Sequence, residues 1–358
     1  MNKNLGQNFI LAFLVMVFYV LPLFSYTYLG IFPPGDPIRG YSARTTAMGN
    51  ISAACIKDEP NLYFNPASLM SVKDRQASLS LNYIPAEEKI VIEDQAPLLN
   101  FQTYTLGSFV ISLPVKDWAL GFGVFPLNDM QYVGENKIWQ NSILAEYEKI
   151  ENKGTLYSYT FSGGHKVGNF SFGLGFNFLK SDYETIIDFY DFTTGTQDYS
   201  KTQNKLDGSN MSVSSVFDLS RNVLIGFSYI EDAELKQKGD KKLKIPKQYT
   251  FSTTVDFGDS VVALELISTE NKKAEFHIGV EHFPEFGKVP IRYGFGFIPH
   301  PADNKNYTLS ISLGSGLEIS RNIFFDFAGS YETINTKVSE SYILQNSYKL
   351  ICTTRFVF

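Results

Sequence analysis

Cysteine is nearly missing from this chain. Cys55 and Cys352 stand alone among 358 residues, which leaves no disulfide framework and no thiolate metal site. The four histidines, His165, His277, His282 and His300, complete no metal spacing with them. A GxSxG elbow, a convincing acid pair and a phosphate loop are missing too, so the expectation is a protein that is not an enzyme and holds no metal or cofactor. Positive charge is in short supply. Lys and Arg total 31 against 37 Asp and Glu, for a net charge of -6, and nothing recommends a nucleic-acid partner. After the first 25 residues no apolar run is long enough to cross a membrane as a helix.

Those first residues are Lys3, an apolar run from Phe9 to Phe24, and Ser25 as a small residue suited to cleavage. They read as a secretory signal peptide over 1–25. A retained anchor fits less well, because the run is short and contains Pro22. The mature chain is then exported.

What the sequence has in quantity is aromatic residues, 31 Phe and 21 Tyr. From Gln76 onward they fall on a period of two, the strand signal. In the stretch 306–319, Tyr307, Leu309, Ile311, Leu313, Leu317 and Ile319 share one face, and Ser, Thr, Gly and Glu318 take the other. In 170–178, Phe170, Phe172, Leu174, Phe176 and Phe178 do the same opposite Ser171, Gly173, Gly175 and Asn177. The pattern predicts 14 strands near 77–84, 99–113, 117–127, 151–166, 169–180, 207–219, 222–230, 245–257, 260–267, 274–283, 288–298, 306–319, 322–334 and 346–358.

Short turns (114–117, 166–169, 219–222, 257–260, 284–288 and 319–322) alternate strictly with longer polar stretches, the largest at 128–150 and 181–206. That asymmetry belongs to outer-membrane barrels, whose long loops are extracellular. A soluble sandwich or propeller would have to pack one face as a dry core, and small polar residues do that badly but line a lumen well. The last strand alternates to a terminal Phe358, like the C-terminal strands by which the barrel-assembly machinery recognises its clients. The reading is therefore all-β: a transmembrane antiparallel β-barrel of about 14 strands over 76–358, in the outer membrane of a Gram-negative-type cell and in contact with its lipid.

A barrel of that size encloses more space than its own side chains fill. Residues 26–75 are the part left outside the hairpins, and their Tyr, Phe, Leu, Ile and Met content argues against a disordered leader. They are expected to form an N-terminal hatch, or plug, inside the lumen. Within them, the residues from Ile38 to Met70 resemble the hatch signature of the long-chain fatty-acid transporter superfamily of outer-membrane barrels, which includes barrels associated with type IX secretion. The matching positions include Gly40, Arg44, Met48, Gly49, Ala53, Asp58, Tyr63, Asn65, Pro66, Ala67 and Leu69. Asn50 and Ser68 stand where that family usually has glycine. The resemblance implies the barrel-plus-hatch fold, and it marks Arg44, Gly49, Asp58, Asn65, Pro66 and Ala67 as the hatch motif.

Alternation also places Arg292, Glu318, Asp326 and Arg355 on the inner face, within about seven residues of the short-turn rim. Two readings stand. They form an ionic belt that holds the hatch, with Arg39 or Arg44 as partner, since buried charge needs pairing, or one cation meets a ligand carboxylate. At Asn65-Pro66-Ala67, proline excludes the α region at Asn65, which should be extended with its amide bridging backbone groups, while Ala67 permits close approach of hatch to wall. The resemblance implies passive passage of a hydrophobic small molecule such as a fatty acid through a monomeric barrel, gated by the hatch. The alternative is an interaction barrel of a secretion or surface-display system, its loops binding protein.

Overall fold

Alternating residues favour extended backbone because each face of a strand then meets one environment. The computed structural model of the chain describes residues 34–54, 57, 59–91, 98–140, 143–237, 242–284, 289–299, 307–338 and 341–358. Residues 1–25, expected as a signal peptide, and Asp58 and residues 26–33, expected in the hatch, lie outside the described residues.

Fourteen strands close a barrel. The first seven are β1 (Gln76–Val91), β2 (Leu98–Val115), β3 (Trp118–Asp129), β4 (Thr155–Val167), β5 (Phe170–Asp191), β6 (Thr196–Ser220) and β7 (Val223–Ile230). The second seven are β8 (Gln248–Asp256), β9 (Ser260–Thr269), β10 (Glu275–His282), β11 (Ile291–Pro299), β12 (Tyr307–Ser320), β13 (Ile323–Val338) and β14 (Ser341–Val357). Each pairs antiparallel with the next, and β14 pairs back to β1 with Val357 opposite Gln76, so no sheet edge is left in the wall.

Crossing a bilayer takes roughly 9–11 tilted residues per strand, yet β5 has 22 and β6 has 25. Both overshoot on the long-loop side. There the hairpin Tyr132–Gln140 with Ile143–Lys153 pairs onto β5, Glu146 lying opposite Asp191 and Lys153 opposite Glu184. A smaller hairpin, Ala233–Gln237 with Lys242–Ile245, touches β6 at Leu206 and Asp207. The stretches 128–150 and 181–206, expected as polar loops, are thus largely strand. Outside the bilayer neither face of a strand needs to be apolar, so the hydrophobic alternation fades while the ladder continues.

Within the bilayer height the outer face is bulky and apolar. Phe172 is 51% exposed and Leu313 63%, which is the surface a membrane covers. Among the described residues no helix is long and apolar enough to cross one. The inner face changes along its height. Toward the short turns it is Ser, Thr, Asn and Gly, with Glu281, Arg292 and Asp326 buried among them. Toward the long loops it turns apolar, with Phe125, Leu156, Leu179 and Leu206 fully buried. This apolar upper part adds to the small polar lining that the alternation predicts. Its cause is the filler, because apolar hatch side chains meet the wall there.

Candidate functional site: the hatch and the lumen it fills

Most of the described residues between 34 and 72 lie buried in the barrel interior. The segment begins with Asp36–Pro37 paired to β3 at Asp129 and Asn128. Next comes α1 (Ala43–Ala47), held at its start by a capping box in which Ser42 Oγ accepts from Thr45 N and Thr45 Oγ1 accepts from Ser42 N. A 3-10 turn, Pro66–Ser71, comes later in the segment. Buried irregular backbone has many N–H and C=O groups to satisfy, and this explains the small hydroxyl residues of the inner wall. Ser108 donates to Tyr41 O (2.7 Å) and Ser162 to Leu62 O (3.1 Å). Ser214 accepts from Ala67 N and Thr353 from Ala43 N, both at 2.8 Å. Ser312 accepts from Gly49 N and donates to Ala47 O.

Two carboxylates of the wall bind the hatch more firmly. Glu265 on β9, 1% exposed, accepts from Ser52 N, Ser52 Oγ, Ala53 N and Ala54 N at 2.6–2.8 Å. Glu281 on β10 receives Arg44 of the hatch through both oxygens, Nε at 3.0 Å and Nη2 at 2.5 Å. Its ladder neighbour Arg292 also reaches it, Nε to Oε1 at 2.6 Å, and continues to Asp326 at 2.5 Å. Arg44, Glu281, Arg292 and Asp326 therefore form one chain of alternating sign, the arrangement that lets charge remain buried. Burial opposes the charge on Arg44, but Glu281 more than restores it and holds the guanidinium above its ordinary value. Arg39 is treated likewise by Glu275, at 3.1 Å.

The other residues of interest are placed as follows. Arg355 lies outside this chain: its guanidinium sits over the Phe324 ring at 4.5 Å and Nη1 donates to Gln76 Oε1. Glu318 keeps the register of the inner face, two positions beyond the Gly316–Asp326 pair, but lies at the exposed rim of the barrel, away from the buried ion chain. Gly49, at φ 81, and Asn50, at φ 61, are consecutive left-handed residues. Asn65 has φ -144 and ψ 79, its Nδ2 donates to Ala53 O at 2.7 Å, and Pro66 starts the 3-10 turn. Glu265 and Glu281 carry the heaviest hatch contacts, and the inner-belt expectation named neither. The signal available was an acidic residue on the small-residue face of a strand, and Glu281 has it.

Above the hatch, toward the long loops, is a cavity of about 330 Å³. Tyr63, Phe64, Leu127, Ile230 and Ile267 give it apolar walls, and Arg39, Lys244 and Lys272 line it together with the carboxylate of Glu275. Burial pushes the Tyr63 phenol up to about 12, so that it remains a neutral hydrogen-bonding group. Among the described residues no cluster of His, Cys, Asp and Glu could hold a metal ion.

Comparison with known proteins follows the fold. The BamG family model matches residues 23–282. No curated protein matches. Among solved structures, the toluene transporter TodX of Pseudomonas putida is similar at 12% identity, with a TM-score of 0.63 over 90% of this chain and 99% of that one. A TodX deltaS2S3 mutant, a monoaromatic hydrocarbon channel, gives a TM-score of 0.69 at 13% identity over 90% and 100%. The CymD monoaromatic hydrocarbon channel gives 0.60 at 12% over 89% and 98%. The resemblance to the fatty-acid transporter superfamily holds at the level of fold.

Proposed function

The chain belongs to the BamG family, and from that premise and its geometry we propose an outer-membrane barrel that takes up a hydrophobic small molecule, of the fatty-acid kind, from the outer side. The observation that carries this reading is the cavity above the hatch. Its walls would bury an apolar chain, and Lys272 would face an acidic end, since Arg39 is held by Glu275 and Lys244 by Asp232 and Glu270; sites for small ligands are mostly apolar with a few placed polar groups. Movement of the hatch, anchored through Glu265 and Arg44, is the gate. Arg292 is committed to Glu281 and Asp326, which supports a structural ion chain there and leaves the ligand's charge to Lys272. The test is mass spectrometry of small molecules carried by the purified barrel, with uptake measured in a deletion strain. A hydrophobic acid in the cavity and loss of its uptake support the reading, and an empty barrel with unchanged uptake ends it.

A second reading, an interaction barrel serving assembly, secretion or surface display of other proteins, is favoured by the density of hatch anchors and by the tall sheet that β5 and β6 raise outside the membrane. The Bam designation of the family points the same way, toward barrel assembly. In that case the protein should co-purify with exported or surface proteins. In either reading Phe358, exposed at the end of β14, is the group offered to the assembly machinery when this barrel itself is inserted.

A further inference from the structure

Beyond the membrane, the hairpin strands Tyr132–Gln140 and Ile143–Lys153 and the outer parts of β5 and β6 form a four-stranded sheet. Residues directly opposed in an antiparallel ladder share a face, so the registers sort its side chains. One face is charge-balanced, with Lys137 on Glu135 at 3.2 Å, Lys149 on Glu151 at 3.7 Å and Lys201 on Glu184 at 2.8 Å. The other carries Glu146, Glu148, Asp191 and Asp198 around Ile150, Ile187 and Phe189, and no Lys or Arg shares it. Asp191 is committed to the turn at Thr193 and Thr194. Glu146, Glu148 and Asp198 have no ion pair among the described residues. On β5 this acidic face continues the lumen-facing side that includes Leu179 and Tyr183.

The sheet also ends in an open edge. Among the described residues, β6 from Thr196 to Lys205 has a ladder partner on the β5 side alone, because the small hairpin engages it from Leu206 and β7 from Ser212. Thr196 to Gln203 are all exposed. An open edge presents unpaired N–H and C=O groups to any extended chain that fits, and strand addition draws affinity from that ladder and specificity from alternate side chains. Rows of carboxylates without counter-charge repel an anionic ligand or lipid head group and select for cations on whatever docks.

We infer that the edge of β6 accepts an extended segment of another protein outside the cell, one with Lys or Arg at alternate positions so that its charges fall on the Glu146, Glu148 and Asp198 face. Binding rests on neither reading of the lumen. It is tested with the full chain in detergent or nanodiscs and a labelled synthetic peptide alternating Lys with Thr, long enough to span Thr196–Lys205. Saturable binding is expected, weakened at least about tenfold by Glu146→Gln with Glu148→Gln and Asp198→Asn. The matching triple change on the balanced face, Glu135→Gln with Glu151→Gln and Glu184→Gln, should leave it no weaker. Two further peptides, N-methylated on alternate amides in the two possible frames, keep every side chain but each block one edge. One frame should bind and the other should not. Equal binding of both frames, equal effects of the two triple variants, or equal binding of a Glu-for-Lys peptide each overturn the proposal. Retained heat-modifiable mobility of the barrel shows that each variant is folded.

Discussion

Gly279 stands directly opposite Gly294 in the wall, and the Met48–Gly49 peptide of the hatch lies against the bare patch they share. A methyl group on either glycine would press into hatch backbone, on Met48 from Gly279 and on Met48 and Gly49 from Gly294. A second such pair, Gly164 opposite Gly173, receives Leu69–Met70 and Pro66–Ala67. The hatch is keyed at two places where the wall omits its side chains.

Gly294→Ala should therefore unseat the hatch turn. Overpacking costs about 1–3 kcal/mol, and here it falls on backbone that cannot rotate away. The expected result is a barrel that still shows heat-modifiable mobility while its hatch becomes open to protease. Gly163→Ala is the control, since its new methyl would meet only ordinary contacts near 3.7 Å, and hatch protection should be unchanged.

Glu281→Gln should be among the most damaging single changes in the lumen. It strands Arg44 and Arg292, and removing one partner of a buried ion pair costs about 3–5 kcal/mol. Thermal or denaturant unfolding of the purified barrel should show that loss. Adding Arg44→Met should recover part of it, because the two sites share one interaction. Glu318→Gln, at the exposed rim, should stay within about 0.5 kcal/mol of the parent.

Asn65→Ala removes the amide that donates to Ala53 O at 2.7 Å and leaves that buried carbonyl with the long 3.5 Å contact from Ser252 Oγ, at about 1–3 kcal/mol. Pro66→Ala loosens the φ restraint at the start of the 3-10 turn. Both should increase hydrogen exchange over 52–71 and alter uptake of a hydrophobic substrate, with barrel yield unaffected. Unchanged exchange and uptake in both would remove the functional claim on this motif.

The wall was legible because lipid imposes one demand on every strand: a large apolar residue at each second position within the bilayer. Where that demand stops, legibility stops as well. The outer parts of β5 and β6 are wet on both faces, and nothing in TTGTQDYSKTQN separates an exposed strand from a loop. The hatch shows the same division. Asn50 stands where the resemblance expects glycine, and its φ of 61 explains both, since asparagine is among the few side chains that tolerate the left-handed region. Ser68, at the other such position, accepts from Asn61 N and donates to Asn65 O, contacts that glycine could not make. The hatch contacts of Glu281 and Glu265 were hidden for a different reason. Arg44 lies 237 residues from Glu281, and neighbouring sequence does not say which inward carboxylate will find backbone N–H groups waiting for it.

The cavity reading can be separated from the keyed hatch by filling the space without touching an anchor. Leu127 is 6% exposed and lines the cavity beside Tyr63 and Phe64, on the stretch of β3 above both glycine patches. In a packed core, a larger side chain here would cost about 1–3 kcal/mol, but about 330 Å³ of open volume gives an indole somewhere to go. Leu127→Trp is therefore expected to leave the unfolding midpoint and the protease resistance of the hatch near the parent values, while the hydrophobic molecule carried through purification falls at least about tenfold, as expected when a site is occupied by its own wall. Leu120→Trp, on the lipid face of the same strand, should retain the ligand. If Leu127→Trp binds as the parent does, the ligand sits elsewhere and the cavity is only a packing gap above the hatch.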